Sequence, residues 1–568
     1  MKAGRLIILW LKRLNSSEMM QKNALVFILF LLISSEVFAQ SLPVGMPVIE
    51  DFFRREQLLG TKDSLISFTI RPIYAGDQLN SGIDTISAGN RLFKFNSRLN
   101  LPGDRAFFQL LPFSLQHQYN SILPYDWNDG TMIPAIGHQT QVSIGAFFKY
   151  GPLSVQLRPE YVYAENPAFE RFPSEQYDIV WARYYNNYFN VSDITERYGD
   201  DSYSKLFWGQ SSVRLTFDPV SIGISNENLW WGPGRRNSLL MSNNAPGFKH
   251  ITLNTSRPVQ TPIGSFEAQM IAGRLENSGI LPPQENRVYD GRSLYVPKRD
   301  DWRFLSGFVL TYNPKGVPGL FIGASQVSQM YKQDAGQRIS DFLPLLLPLE
   351  SKEAASIRDR YSSVFFRWLM QGANAEVYGE YGHQGKRTTF LREPDKSAAY
   401  LFGLRKISPL KRHPGQYLQV SLEFTQLQQT SVPERGGWYT SSVVRQGYTH
   451  MGQLLGAGIG PGSNLQSLDI SWFKGLKRVG IQVERYLHNN DFYYQMYNDP
   501  IDIRKHYVDM SAALSADWDY KNLIFSAKGA MVRSLNYQYV LYNRPPDYFI
   551  TGWDRLNYQV KLGVMYRF

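Results

Sequence analysis

The sequence predicts an all-β protein: a transmembrane antiparallel β-barrel of about eighteen strands, with a small helical N-terminal module on the periplasmic side and long extracellular loops. Three observations carry this. Apolar and polar side chains alternate with a period of two over many stretches of about ten residues, as strands wet on one face and lipid-bound on the other require. Short and long connections between those stretches also alternate, which is how periplasmic turns and outer loops differ. Finally, the 568 residues include 35 Tyr, 34 Phe and 12 Trp at only 19% charged, an aromatic load heavy for soluble domains and fitting for a barrel with aromatic girdles.

Composition excludes other classes. With no cysteine, disulfide scaffolds, thiol nucleophiles, Cys-ligated zinc, iron–sulfur sites and Cys-linked lipid anchors are ruled out. Beyond the N-terminus no apolar run approaches the roughly 20 residues of a membrane helix, which rules out a polytopic helical protein.

Taken in chain order, residues 1–39 read as a secretory signal peptide. Lys2, Arg5, Lys12, Arg13 and Lys22 precede the apolar run 24–33, and Val37, Phe38 and Ala39 form a small-residue cleavage site after Ala39. Ten apolar residues span only about 15 Å as a helix, too short for an anchor. Removing this segment's five basic and two acidic residues lowers the net charge from +11 to +8. That moderate positive charge suits anionic partners such as lipopolysaccharide or an acidic glycan. No Lys/Arg run reads as a nucleic-acid patch. Residues 40–105 form a segment that sits in the periplasm or fills the lumen, with a helix expected over 47–59 between Pro47 and Gly60.

The barrel occupies 106–568. Expected strands lie at 106–118, 140–150, 153–163, 211–218, 219–225, 248–256, 264–275, 303–312 and 319–326. They continue at 361–370, 372–382, 397–405, 416–426, 466–473, 478–486, 508–517, 522–533 and 557–568. The last strand sets the template. Tyr558, Val560, Leu562, Val564, Tyr566 and Phe568 share one face, while Asn557, Gln559, Lys561, Gly563 and Arg567 share the other. The ending on Tyr566 and Phe568 resembles the C-terminal signal of bacterial outer-membrane barrels, so barrel-assembly machinery is an expected partner. In 153–163 the inward face would carry Ser154, Gln156, Arg158 and Glu160, a wall better matched to a hydrated lumen than to a sandwich core. Segments 164–210, 226–247, 327–360, 427–465 and 487–507 are the expected outer loops, with a further helix over 351–361 after the apolar run DFLPLLLPLE.

The loop NENLWWGPGRRNSLLMSNNAP, residues 226–246, carries the most distinctive chemistry. Trp230 and Trp231 offer flat apolar faces beside a structural turn of Gly232, Pro233 and Gly234. Arg235, Arg236, Asn237, Asn243 and Asn244 supply donors. Sugar rings present an apolar face and a hydroxyl rim, and uronates add a carboxylate that Arg can grip with two bonds, so these seven residues are the candidate carbohydrate contacts. Tryptophans near strand ends equally serve interfacial belts.

Enzyme chemistry finds little support. The eight histidines (His117, His138, His250, His383, His413, His450, His488 and His506) show no HExxH and no local pair at metal spacing, so no metal and no cofactor are expected. Gly456, Gly458, Gly460 and Gly462 lack the Lys-Ser/Thr of a phosphate loop and read as a flexible loop. Glu160, Glu267, Glu376, Glu380, Glu423 and Glu484 could pair as acids, but arginines such as Arg158 and Arg367 are their expected partners.

The segment WWGPGRRNSLLMSNNAPGFKHITL (residues 230–253) resembles the signature of the capsule assembly Wzi family of outer-membrane proteins. The stretch HMGQLLGAGIGPGSN (residues 450–464), the strand count and the terminal Phe568 fit that likeness. The resemblance implies a monomeric eighteen-stranded barrel with a periplasmic helical module. It implies a lectin that holds exported capsular or exopolysaccharide on the surface of a diderm bacterium. A passive porin or glycan uptake channel is the alternative.

Overall fold

In the computed structural model each alternating stretch is a strand, because only a sheet gives successive side chains two different solvents. Residues 40–60, 65–75, 99–101, 106–125, 127–336, 357–385, 397–429, 437–496, 505–543 and 554–568 are described. The expected signal peptide and the DFLPLLLPLE run lie outside them.

The barrel strands are β1 (Ala106–Asn120), β2 (Gly137–Tyr150), β3 (Leu153–Leu157 with Glu160–Ala164), β4 (Tyr203–Phe207 with Ser212–Phe217), β5 (Val220–Ser225) and β6 (His250–Thr255 with Val259–Thr261). Next come β7 (Gly264–Leu275), β8 (Arg303–Pro314), β9 (Leu320–Tyr331), β10 (Asp359–Met370), β11 (Ala375–Gln384) and β12 (Ala398–Pro409). The last six are β13 (Tyr417–Gln426), β14 (Asn464–Lys474), β15 (Lys477–Leu487), β16 (Val508–Tyr520), β17 (Leu523–Leu535) and β18 (Arg555–Tyr566). Each pairs antiparallel with its chain neighbours. β18 pairs back onto β1, Gln559 opposite Asn120 and Tyr566 opposite Phe113. Eighteen strands thus close with no free edge, which satisfies every ladder group across a bilayer. Tyr558, Val560 and Leu562 are exposed on the outer wall while Asn557 and Gln559 are buried, and Ser154, Gln156, Arg158 and Glu160 all face inward.

Two expectations need correction. Tyr203–Phe207, within the expected loop 164–210, belongs to β4 and pairs with Glu160–Ala164. Five residues broken off by 208–211 are too few to show a period of two. Residues 351–356 of the expected second helix lie outside the described residues, and Asp359 to Tyr361 open β10, opposite Gln329 to Val327. Sheet pairing there overrides local helical preference.

Helix α1 (Pro47–Leu58) starts with Pro at its first turn and a favourably placed Glu50. Its Ile49, Phe52 and Phe53 pack with Leu476 and Ile524, and its Leu58 with Phe321, Leu369, Ile407 and Phe473. Those wall residues all adjoin short turns, so the helix seats at the short-turn end of the lumen. Burying each phenylalanine contributes on the order of 2 kcal/mol. At the opposite end α2 (Asp178–Tyr184) and α3 (Asn490–Met496) join Phe172, Trp181, Tyr185, Phe189, Phe492, Tyr507 and Tyr539 in an aromatic outer cap. Nine of the chain's 35 tyrosines pack there.

Candidate functional site

The loop between β5 and β6 folds into the barrel. Trp230 and Trp231 pair antiparallel with Arg71 and Ile70, which ties the loop to the N-terminal segment. Trp231 donates its backbone N–H to Met241 O at 3.1 Å and its Nε1–H to Gln269 Oε1 of β7 at 2.9 Å. Its ring reaches β8 where Gly307 has no side chain; a Cβ there would lie 3.0 Å from Trp231 Cη2. Trp231 is 0% and Trp230 3% exposed. The Arg71 guanidinium lies 4.6 Å from the Trp230 ring, a buried cation–π contact. Gly232 has φ +129°, and a Cβ would sit 2.6 Å from Glu380 Oε2, so only glycine makes this turn.

The next three residues form an anion nest. Arg235, Arg236 and Asn237 donate their backbone N–H groups to the Glu423 carboxylate at 2.8, 3.0 and 2.8 Å, compensating a buried charge on the barrel wall. Arg235 pairs with Asp51 of α1 at 2.6 Å and donates to Ser421 Oγ at 3.0 Å. Burial alone would raise the Asp51 carboxyl, but Arg235, Arg405 and Arg55 outweigh it and hold that group well below the usual range. Arg236 grips Glu484 with two bonds, 2.9 and 2.8 Å, and covers the Trp127 ring at 4.1 Å. Asn237 donates to Thr425 Oγ1 at 3.1 Å, Asn243 to Asn128 O at 2.9 Å and Asn244 to Leu454 O at 3.2 Å.

All seven predicted residues therefore meet in one plug, with most of their polar groups engaged by the protein; Trp230 Nε1 and Asn237 Oδ1 are buried without a partner. Wall carboxylates draw the arginines in, and the tryptophans follow. Trp230, Arg235, Arg236 and Asn243 reach a lumen cavity of about 430 Å³; Trp231, Asn237 and Asn244 do not line it. That cavity runs between the plug with α1 on one side and β1, β17 and β18 on the other. Sequence reasoning missed Trp127, Asn128, Arg54 and Arg71, which also line it. An aromatic followed by turn residues, Trp127 to Gly130, repeats the composition of the Trp-Gly-Pro-Gly turn and could have flagged the first two. Nothing local flags Arg71, whose partner Gly234 O at 2.8 Å is 163 positions away.

Other expectations resolve residue by residue. Glu376 pairs with Arg367 at 2.6 Å. Glu160 does not pair with Arg158; it accepts from Gln210 at 3.1 Å and Thr131 at 3.2 Å. Gly456, expected to be flexible, is a close-approach point, since a Cβ there would collide with the Tyr439 hydroxyl and Leu239 O. His117 Nε2 and His138 Nδ1 lie 3.1 Å apart, a pairing invisible to sequence spacing. Among the described residues no group of three or more His, Cys, Asp or Glu side chains could hold a metal ion. The Tyr566 and Phe568 rings meet edge to face at 5.2 Å.

A family model described as capsule assembly protein Wzi matches residues 127–524, well over half of the chain. The solved structure of Wzi from Escherichia coli, described as an outer membrane protein involved in group 1 capsule assembly and a carbohydrate-binding β-barrel, is similar with a TM-score of 0.59 at 12% identity. The match covers 94% of this chain and 100% of that one, and at that identity the likeness is one of fold. OccAB2 of Acinetobacter baumannii (TM-score 0.37, 9% identity, 82% of this chain and 98% of that one) and OccK2 of Pseudomonas aeruginosa (0.36, 10%, 80% and 96%) also align. No curated protein matches the chain by sequence.

Proposed function

The chain belongs to the capsule assembly Wzi family of outer-membrane β-barrels, and from that premise we propose that it is a lectin-like protein that binds exported polysaccharide and helps attach capsule at the cell surface. It acts as a monomer, by binding alone, without covalent chemistry. The observation that carries this reading is the convergence of Trp127, Trp230, Arg235, Arg236 and Asn243 on one cavity. There, aromatic rings, guanidinium groups and an amide line one cavity, the side-chain classes that sugar recognition uses. Loop and helix fill much of the lumen, which favours holding over free passage.

Purified barrel fixed to a support tests this. It should retain the polysaccharide made by its own strain, less so as salt is raised, because Arg–carboxylate contacts are screened. Equal retention by an unrelated barrel of the same strand number would contradict the proposal.

A further inference from the structure

Arg158 lies between the two segments of β3, lines the lumen cavity and is 4% exposed. Among the described residues its guanidinium meets only the Ser114 hydroxyl at 3.3 Å and the Met46 thioether sulfur at 3.4 Å, and its Nε has no partner. Glu160, two residues on, attracts it through space but forms no ion pair with it, so most of the buried guanidinium's hydrogen-bonding capacity is unmet, which is costly. Among the described residues none of the cavity's acids forms an ion pair with it. Glu50 pairs with Arg71 at 2.5 Å, Asp51 with Arg235 at 2.6 Å, Asp517 with Arg478 at 3.5 Å and Asp129 with Lys561 at 3.8 Å. Glu160 accepts from Gln210 and Thr131.

The neighbouring strands add unmet polar atoms on the same cavity. Gln118 of β1 and Ser143 of β2 are 2% and 4% exposed, both line the cavity, and Gln118 Oε1 and Ser143 Oγ have no partner. A fixed positive charge flanked by hydroxyl-binding groups, with Trp127 and Trp230 also on the cavity, matches a ring that bears both hydroxyls and a carboxylate. About 430 Å³ falls within the roughly 300–1,000 Å³ of small-ligand pockets.

We infer that this cavity receives one acidic sugar unit, a uronate or a sugar with an equivalent carboxylate. Arg158 grips the carboxylate and thereby sets the preference for acidic over neutral glycan. The inference rests on the polysaccharide-binding reading above and adds the substrate class and the selecting residue.

Calorimetry on the full barrel with hexagalacturonate and maltohexaose as probes tests it. Wild type should bind the acidic oligomer about tenfold or more tightly than the neutral one. Arg158→Gln, checked for heat-modifiable migration, should abolish that preference, and Arg158→Lys should keep part of it. An unchanged preference in Arg158→Gln overturns the inference. If Arg158→Gln does not fold, Arg158→Lys and the retention of native against carboxyl-reduced polysaccharide by wild type decide. Wild type that retains its strain's polysaccharide but prefers neither oligomer sinks this inference and leaves the lectin reading standing. Wild type that retains no polysaccharide sinks both.

Discussion

Glu423 accepts three successive backbone N–H groups from the plug, and Tyr378 donates its hydroxyl to the same carboxylate at 2.8 Å. Glu423→Gln would turn an amide N–H₂ toward donors and leave at least one unmet, at a cost of about 2 kcal/mol. Limited proteolysis should then cut within residues 226–247 while the barrel still migrates as folded. Resistance equal to wild type would mean that the nest does not hold the loop. In the outer cap, burial raises the Asp491 carboxyl to about 7, against a lowering from the Gln429 N–H that it accepts. The folded cap therefore holds a proton that the unfolded chain has lost above the ordinary carboxylate range. The stabilisation is greatest at the acidic end and falls as pH rises to about 7. Hydrogen-exchange protection factors across Asn490–Met496, which divide out the base-catalysed intrinsic rate, should be larger at pH 5 than at pH 8, and Asp491→Asn should remove the difference. A wild type with no such difference would contradict the assignment.

The elements differ in how legible they were. Strands such as β18 could be read because lipid and lumen impose opposite demands on adjacent residues, so Tyr558 and Gln559 announce their sides. The first half of β4 could not, being only five residues long. The loop 226–247 was legible as unusual but not in its position. Its chemistry suggests a surface for sugar, whereas its partners Glu423 and Glu484 lie 186 and 248 positions away and no local signal points to them. Trp231 is the element's packing centre, so Trp231→Ala should cost about 3–5 kcal/mol locally and loosen the plug. In a planar lipid bilayer the wild-type barrel should pass little current and Trp231→Ala distinctly more. A wild type conducting as freely as an open porin would favour the channel alternative.

At the scale of the whole molecule, strand number and closure were legible because each stave repeats the same two-faced pattern. The filling of the lumen was not, because it depends on contacts between α1, the plug and the wall that span hundreds of residues, Arg367 to Gln57 among them at 2.9 Å. The barrel fixes where charges sit, the plug orients them, and a cavity of about 430 Å³ remains beside the wall. Removing the protein should leave synthesis and export of polysaccharide intact while loosening its hold on the cell. The most direct measurement is the partition of polysaccharide between cells and medium in a strain lacking this chain. The account predicts a normal total with most of it shed into the medium, restored by the wild-type barrel. A normal total that stays on the cells would contradict it.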